Sequence, residues 1–491
     1  MTLLLIAPIG VPLLAAACLA ALGGRRGTSW LGGTSWLGAT AAAAVLACGI
    51  ALAASGPRTA IGGLLRADAL SAFMLIVIGA VALPAMLASP GHLAAEGTAP
   101  RDARRYGALI QAFVAAMALA VLSASLGMLW VAIEATTVLS AFLVGHRRTR
   151  NATEAAWKYV VICSAGIALA FLGVVLLHFA AEQAHVPAAG SLGWADLAAH
   201  AGRLDPDVTR IAVALLVLGF GAKAGLAPLH AWLPDAHGQA PAPVSALMSG
   251  ALLPVALYAV LRVKTIADAA LGPGFVRTLL LTAALASLAL AAALLLGQRD
   301  YKRMLAYSSI EHMGLMAFGA AIGTRLAMAA VLLHALGHGL AKTVAFLAAG
   351  HLQRAAGSSR VDAARGVAAR APLAAGAFGA AVLALLGFPP FSLFASELAM
   401  FRAGFAAGLG WAVAAVLALL LAATAATAAG TARMLLGGPR TGPGAATLPA
   451  RPPLGAAAAL LLGLPVCAAI GIGLGPLHGL LLDAAAVLGA R

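Results

Sequence analysis

Of 491 residues, 62% are hydrophobic and 10% are charged, a balance foreign to water-soluble domains of this length. The formal charge of +15 could suit nucleic acid, but the Lys and Arg are scattered through short hydrophilic joints between apolar runs, which excludes a nucleic-acid face and fits a membrane surface. With lipid as solvent, each crossing needs roughly 20 apolar residues and must satisfy its own backbone hydrogen bonds, so the expected fold class is an all-α polytopic membrane protein.

The chain opens on an apolar run, 2–22, with no basic segment before it, and Arg25 and Arg26 come after it; a retained helix is expected rather than a cleaved signal. The duplicated GTSWLG at Gly27–Gly32 and Gly33–Gly38 reads as a local repeat in a loop. Further runs long enough to cross lie at 35–54, 68–89, 107–123, 126–145, 158–180, 209–227, 243–262, 274–296, 303–322, 326–350, 372–392, 409–432 and 455–476, giving about fourteen crossings. The odd-numbered loops hold roughly twice as many Lys and Arg as the even ones, so both termini are expected to face outward. Cys18, Cys48, Cys163 and Cys467 each sit alone in apolar runs, without the spacing of a zinc or iron–sulfur site, and read as packing residues.

The seventh and twelfth runs are each interrupted near proline, at Pro228 and at Pro389-Pro390. Paired broken helices of this kind point to inverted repeats around a transport path. Within these runs stand charges that are costly at membrane depth and therefore need a partner, a water-filled cavity or a task. Glu134 lies in the middle of LGMLWVAIEATTVLSAFLVG, about 12 Å of helix rise from either end. Lys223 lies just before the break at Pro228, and the two are expected to form an intramembrane acid–base pair. A pair that only ties two helices together is the competing reading, but apolar residues would do that as well. A lysine balanced by one movable carboxylate can instead act as a proton switch.

His334, His338 and Lys342 follow at intervals of four and share one helix face, which suits passage of protons through intervening waters. Two histidines four apart can also bind zinc, but no third ligand is evident in the sequence, and no metal site is expected. Glu397, in GFPPFSLFASELAMF, stands where a relay could end toward the outer face, or else at the lipid boundary near Arg402. Glu311 and His312, in YSSIEHMGLMAFG, read either as an entry site or as a helix-start cap near the cytoplasmic end of the tenth run.

The strings GLAPLHAWLPDAHGQAPAPVSALMSG, RMLAYSSIEHMGLMAFG, LLHALGHGLAKTVAFLAAGH and GFPPFSLFASE resemble the proton-conducting family shared by respiratory complex I and cation/proton antiporters, over roughly residues 60 to 435. LPDAH, SSIEHMG and PPFSLFASE look most like the F component of hydrogenase-4 and related formate hydrogenlyase complexes. The resemblance implies three N-terminal helices (1–106), two inverted five-helix repeats (107–265 and 266–435) with helices 7 and 12 broken, and a C-terminal helix (436–491). It matches Glu134, Lys223, His338 and Glu397 to the family's ionisable positions. At the position of a common helix-8 lysine stands Pro254, which cannot relay a proton through its side chain but can free a carbonyl for water.

The same resemblance implies a non-catalytic, ion-translocating subunit in the bacterial inner membrane. No cofactor is expected in this chain. Nickel-iron and iron–sulfur centres would lie in partner subunits, which comprise other membrane subunits and a soluble hydrogenase arm. The equivalent subunit of NADH:quinone oxidoreductase and an Mrp-type antiporter subunit are the alternatives.

Overall fold

The computed structural model describes residues 2–21, 29–187, 192–437 and 453–490. The chain runs through α1 (Leu3–Ala21), α2 (Ser29–Ser55), a hairpin of β1 (Arg58–Ala60) and β2 (Leu65–Ala67), then α3 (Ala69–Ala95), α4 (Pro100–Leu122), α5 (Leu126–Val144) and α6 (Arg150–Gln183). A short α7 (Trp194–Ala199) leads to an interrupted pair, α8 (Pro206–Lys223) and α9 (Trp232–Gln239). Next come α10 (Ala242–Leu271), α11 (Pro273–Leu296), α12 (Tyr301–Ile322) and α13 (Arg325–Ala356). The one-turn α14 (Val367–Arg370) precedes a second interrupted pair, α15 (Pro372–Leu385) and α16 (Ser392–Ala406), followed by α17 (Gly410–Leu435), α18 (Leu454–Ile472) and α19 (Leu477–Val487).

Among the described residues, eleven helices are long and apolar enough to cross a bilayer unaided. The remaining expected crossings are α12, whose middle is polar, and the two interrupted pairs. Three expectations need correction. The second GTSWLG copy lies in α2, so it is not a loop; Arg25, Arg26, Gly27 and Thr28 fall outside the described residues. The segment expected to hold one last helix holds two, because α19 folds back against α3 and α13. Cys18 is exposed on the chain's surface, whereas the other three cysteines are buried.

Helix ends follow local chemistry. Ser125, Thr149, Asp300 and Thr324 each accept a hydrogen bond from a backbone N–H of the first turn of α5, α6, α12 and α13, satisfying donors that lipid could not. Between helices, small residues let backbones meet. A Cβ on Gly219 of α8 would come within 2.5 Å of the Gly166 carbonyl of α6, and one on Gly339 of α13 within 2.7 Å of the Gly250 carbonyl of α10.

That close approach buries the two innermost helices completely. The apolar stretches of α10 and α13 are 100% buried, while those of α1, α17 and α18 are 28% buried and turn most of their surface outward. Ionisable side chains nonetheless stand on these buried helices, with Arg262 on α10 and His334, His338 and Lys342 on α13.

The interruptions are built alike. At the first, Leu226 N–H donates to Gly221 O and Gly225 N–H to Ala222 O, with Gly225 at φ +78°; at the second, Phe388 N–H donates to Leu383 O and Gly387 N–H to Ala384 O, with Gly387 at φ +68°. Both are the double hydrogen-bond closure that a left-handed glycine permits at a helix end. Side chains complete the first break, since Trp232 Nε1–H donates to Ala222 O at 3.0 Å and Ala227 N–H donates to Ser287 Oγ at 2.9 Å.

A buried latch fixes α10 to the start of α3. Arg262 donates to Asp68 at 2.7 Å and to Ser71 Oγ at 3.1 Å, with its guanidinium 3.8 Å from the Trp194 ring. Burial works against the Asp68 charge, but the Arg262 cation and the hydrogen bonds from Arg262 and Ser71 outweigh it and hold this carboxyl below the usual carboxylate range.

Candidate functional site

Lys223 is the last residue of α8 and is fully buried at the first break. Its ammonium donates to Thr137 Oγ1 of α5 at 2.9 Å and to the Tyr159 hydroxyl of α6. Tyr159 in turn lies 2.7 Å from Ser140 Oγ, which donates to Thr136 O at 2.5 Å. Because Ser140 spends its hydrogen on that carbonyl, Tyr159 donates to Ser140, giving a directed string Lys223–Tyr159–Ser140.

Glu134 does not meet Lys223 directly, contrary to the simple acid–base pair read from the sequence. It accepts a hydrogen bond from Ser164 Oγ of α6 at 2.9 Å. Glu134 and Thr137 are three apart on α5, about one helical turn, so the residue that meets the ammonium is Glu134's neighbour on the same face. The geometric reason is the register of α5, which turns Thr137 and Ser140 toward the break and leaves Glu134 partly exposed at the α5–α6 seam. Sequence reasoning misses Thr137, Ser140, Tyr159 and Ser164 because hydroxyl residues in apolar runs carry no signal of their own.

The second group gathers on α12, α13 and α16. His334, His338 and Lys342 are all fully buried on α13. His334 Nε2 lies 3.0 Å from His312 Nδ1 on α12, and His334 Nδ1 lies 2.9 Å from Ser396 Oγ on α16. The His338 ring is centred 5.1 Å from that of His312. Glu311 and His312 are thus neither a helix-start cap nor close to an end: Asp300 caps α12, and these two sit about ten residues inside it. Glu397 on α16 leans against the second break, where a Cβ on Gly387 would fall 2.4 Å from its Oε2.

From Lys342 a polar thread leads to α10. Lys342 donates to Leu305 O at 2.6 Å, Ser309 Oγ donates to the same carbonyl at 3.1 Å, and Ser309 Oγ lies 2.8 Å from Ser249 Oγ on α10. Ser249 belongs to a π-helical turn, Met248–Leu252, directly before Pro254. Where the resemblance leads to a lysine, this chain has Pro254, with a widened turn carrying Ser249 ahead of it.

Two further buried groups escape a reading of the sequence. Lys302 donates to Gly238 O at 3.2 Å and Ala240 O at 3.0 Å, and the ring of His237 in α9 stacks 4.9 Å from Phe346. Lys302 is obscured by its place at a span boundary, beside Arg303. The expectation of no third metal ligand also changes. Ligand atoms of His312, His334 and Glu397 lie within 4.8 Å of one another, and the extra donors come from α12 and α16 rather than from the His334–His338 spacing.

A family model described as NADH:quinone oxidoreductase/Mrp antiporter, transmembrane, matches residues 123–422. A hydrogenase-4 component F homolog of Methylacidiphilum infernorum is 39% identical over 319 residues, 64% of this chain and 65% of that protein, so the match spans just under two thirds of that relative's length. An NADH-quinone oxidoreductase subunit N of Desulforudis audaxviator is 33% identical over 352 residues, 71% of this chain and 68% of that protein. A chain of the archaeal membrane-bound sulfane sulfur reductase superposes with a TM-score of 0.87 at 25% identity, covering 100% of this chain and 98% of that one.

Proposed function

This chain belongs to the NADH:quinone oxidoreductase/Mrp antiporter membrane family, and from that premise we propose that it is the proton-translocating subunit of a hydrogenase-4-like complex. In this reading it couples electron transfer in partner subunits to ion movement. The nickel-iron and iron–sulfur centres, a soluble hydrogenase arm and further membrane subunits belong to the partners. The chain lies in the bacterial inner membrane with both termini outward, and its inverted five-helix repeats span 107–265 and 266–435.

The observation that carries the proposal is the arrangement of buried proton-exchanging side chains across the central helices. Lys223, Tyr159 and Ser140 form one hydrogen-bonded string, while Lys342 and Ser309 converge on the Leu305 carbonyl with Ser249 beside Ser309. His338, His312, His334 and Glu397 continue from Lys342 toward the second break. Hydroxyls, imidazoles and amines can each accept and release a proton, which packing alone does not require. Higher identity to the hydrogenase-4 component F homolog than to the subunit N relative favours the hydrogenase-type complex over the complex I alternative.

Purification of the native complex tests the assignment. Co-purifying subunits with a nickel-binding hydrogenase core are expected. NADH-binding subunits, or small antiporter subunits without redox centres, would replace this reading with one of its alternatives.

A further inference from the structure

The cluster of His312, His334 and Glu397 has a feature that a relay does not need. Ser396 Oγ donates its only hydrogen to Leu393 O at 2.8 Å, so it must accept from His334 Nδ1–H at 2.9 Å. That fixes His334 as the Nδ1–H tautomer, with the lone pair of Nε2 directed at His312. The neighbouring His312 Nδ1, 3.0 Å away, then carries the proton they share. His312 Nε2 is buried without a hydrogen-bond partner, and so are both ring nitrogens of His338 beside it.

We propose that His312 Nδ1, His334 Nε2 and the Glu397 carboxylate form a binding site for one zinc-class divalent transition-metal ion. Ligand atoms in a tetrahedral zinc shell lie about 3.3 Å apart when each bond is about 2.0 Å. The two imidazole nitrogens, 3.0 Å apart, are close to that bite in distance, and one ligand atom from each of the three residues lies within 4.8 Å of the others. To ligate one ion, the two rings give up their mutual hydrogen bond and turn their nitrogens toward a shared point beside that axis, and Glu397, which is only half-buried, rotates in to meet it.

Charge and chemistry agree with this class. Two neutral imidazoles and one carboxylate suit zinc, cobalt or nickel better than sodium, magnesium or calcium, which prefer oxygen shells. On binding, His312 passes to its Nε2–H tautomer, so both rings remain neutral and Nδ1 becomes a ligand. The Ser396 hydroxyl supplies the outer hydrogen bond that orients His334, as ligating histidines in metal sites generally require. Three protein ligands leave a fourth position open for water.

The site stands on geometry alone, while its consequence rests on the proton-translocation reading: a bound ion occupies the lone pairs through which protons would pass and closes that path. The test uses the full-length chain in detergent, titrated with Co2+ and then with Zn2+ in competition with a chromophoric chelator. One Co2+ per chain with visible d–d bands is expected, displaced by Zn2+, with an X-ray absorption shell of nitrogen and oxygen at about 2.0–2.1 Å. Glu397→Gln and His334→Ala, each checked for a monodisperse folded chain, should bind at least tenfold more weakly. Absence of stoichiometric binding by the unaltered chain, or equal binding by folded variants, overturns the site. Zn2+ should also stop proton uptake into vesicles holding the native complex. Stoichiometric binding with undiminished uptake would leave the metal site standing and overturn the relay reading of these residues.

Discussion

Tyr159→Phe removes one oxygen and nothing else from the Lys223 string. The ring keeps its packing 4.8 Å from Trp232, and Lys223 keeps its 2.9 Å bond to Thr137. What disappears is the hydroxyl that receives from Lys223 and passes on to Ser140. A hydrogen bond to a charged group contributes about 1.5–3 kcal/mol. If that energy is lost at the proton-transfer step, the rate falls about ten- to a hundredfold. The assay is proton uptake driven by electron transfer in vesicles containing the native complex, with thermal unfolding of the purified complex beside it. Uptake should fall by that factor while the unfolding temperature moves little, and Ser140→Ala should produce a smaller loss in the same direction. Uptake at the unaltered rate in Tyr159→Phe, in a background where Lys223→Met abolishes it, would show that Lys223 exchanges protons by another route and refute the string.

Glu134→Gln keeps an acceptor for Ser164 and should assemble normally, yet lose proton uptake while hydrogen chemistry in detergent persists; undiminished uptake would remove Glu134 from the path. Gly387→Ala places a methyl 2.4 Å from Glu397 Oε2 at φ +68°, so it should cost about 1–2 kcal/mol of backbone strain and also impair uptake, whereas Gly357→Ala, also left-handed but in open space, should carry only the strain. Arg262→Met leaves Asp68 buried and unpaired and should destabilise the folded chain by about 3–5 kcal/mol, with partial recovery in the double variant Asp68→Asn/Arg262→Met. Because the folded-state carboxyl of Asp68 titrates below its ordinary value, the latch is fully present above about pH 4 and is lost as pH falls through the folded value; acid unfolding measured from pH 7 to 3 should therefore steepen only at the low end, and to a lesser degree in Asp68→Asn.

The helices are legible because lipid forces long apolar runs, and the breaks are legible because Pro228 and Pro389-Pro390 interrupt such runs. Lys223 and the His334–His338–Lys342 face stand out because charge is rare at that depth. Less can be read where a partner comes from another helix. The register of α5 against α8 decides that Thr137 rather than Glu134 meets Lys223, and no local pattern encodes it. Ser164, Ser140 and Tyr159 look like ordinary membrane-helix residues until α6 packs on α5. The position of Glu311 and His312 inside α12 is obscured because polar residues there lower the apparent span and mimic a helix start. Contact between His312, His334 and Glu397 depends on three helices and on the turn at Gly387, none of which spacing along one helix reveals.

The central claim is that Lys223 exchanges a proton during turnover rather than serving as a fixed buried charge. Lys223→Arg keeps a cation at the break, but a guanidinium does not release its proton in the functional pH range. Electron-transfer-driven proton uptake into vesicles containing the complex with this one change measures the difference directly, once co-purification shows that the complex has assembled. The account predicts an assembled complex whose uptake is at least tenfold lower; normal uptake would mean that charge alone suffices and would contradict it.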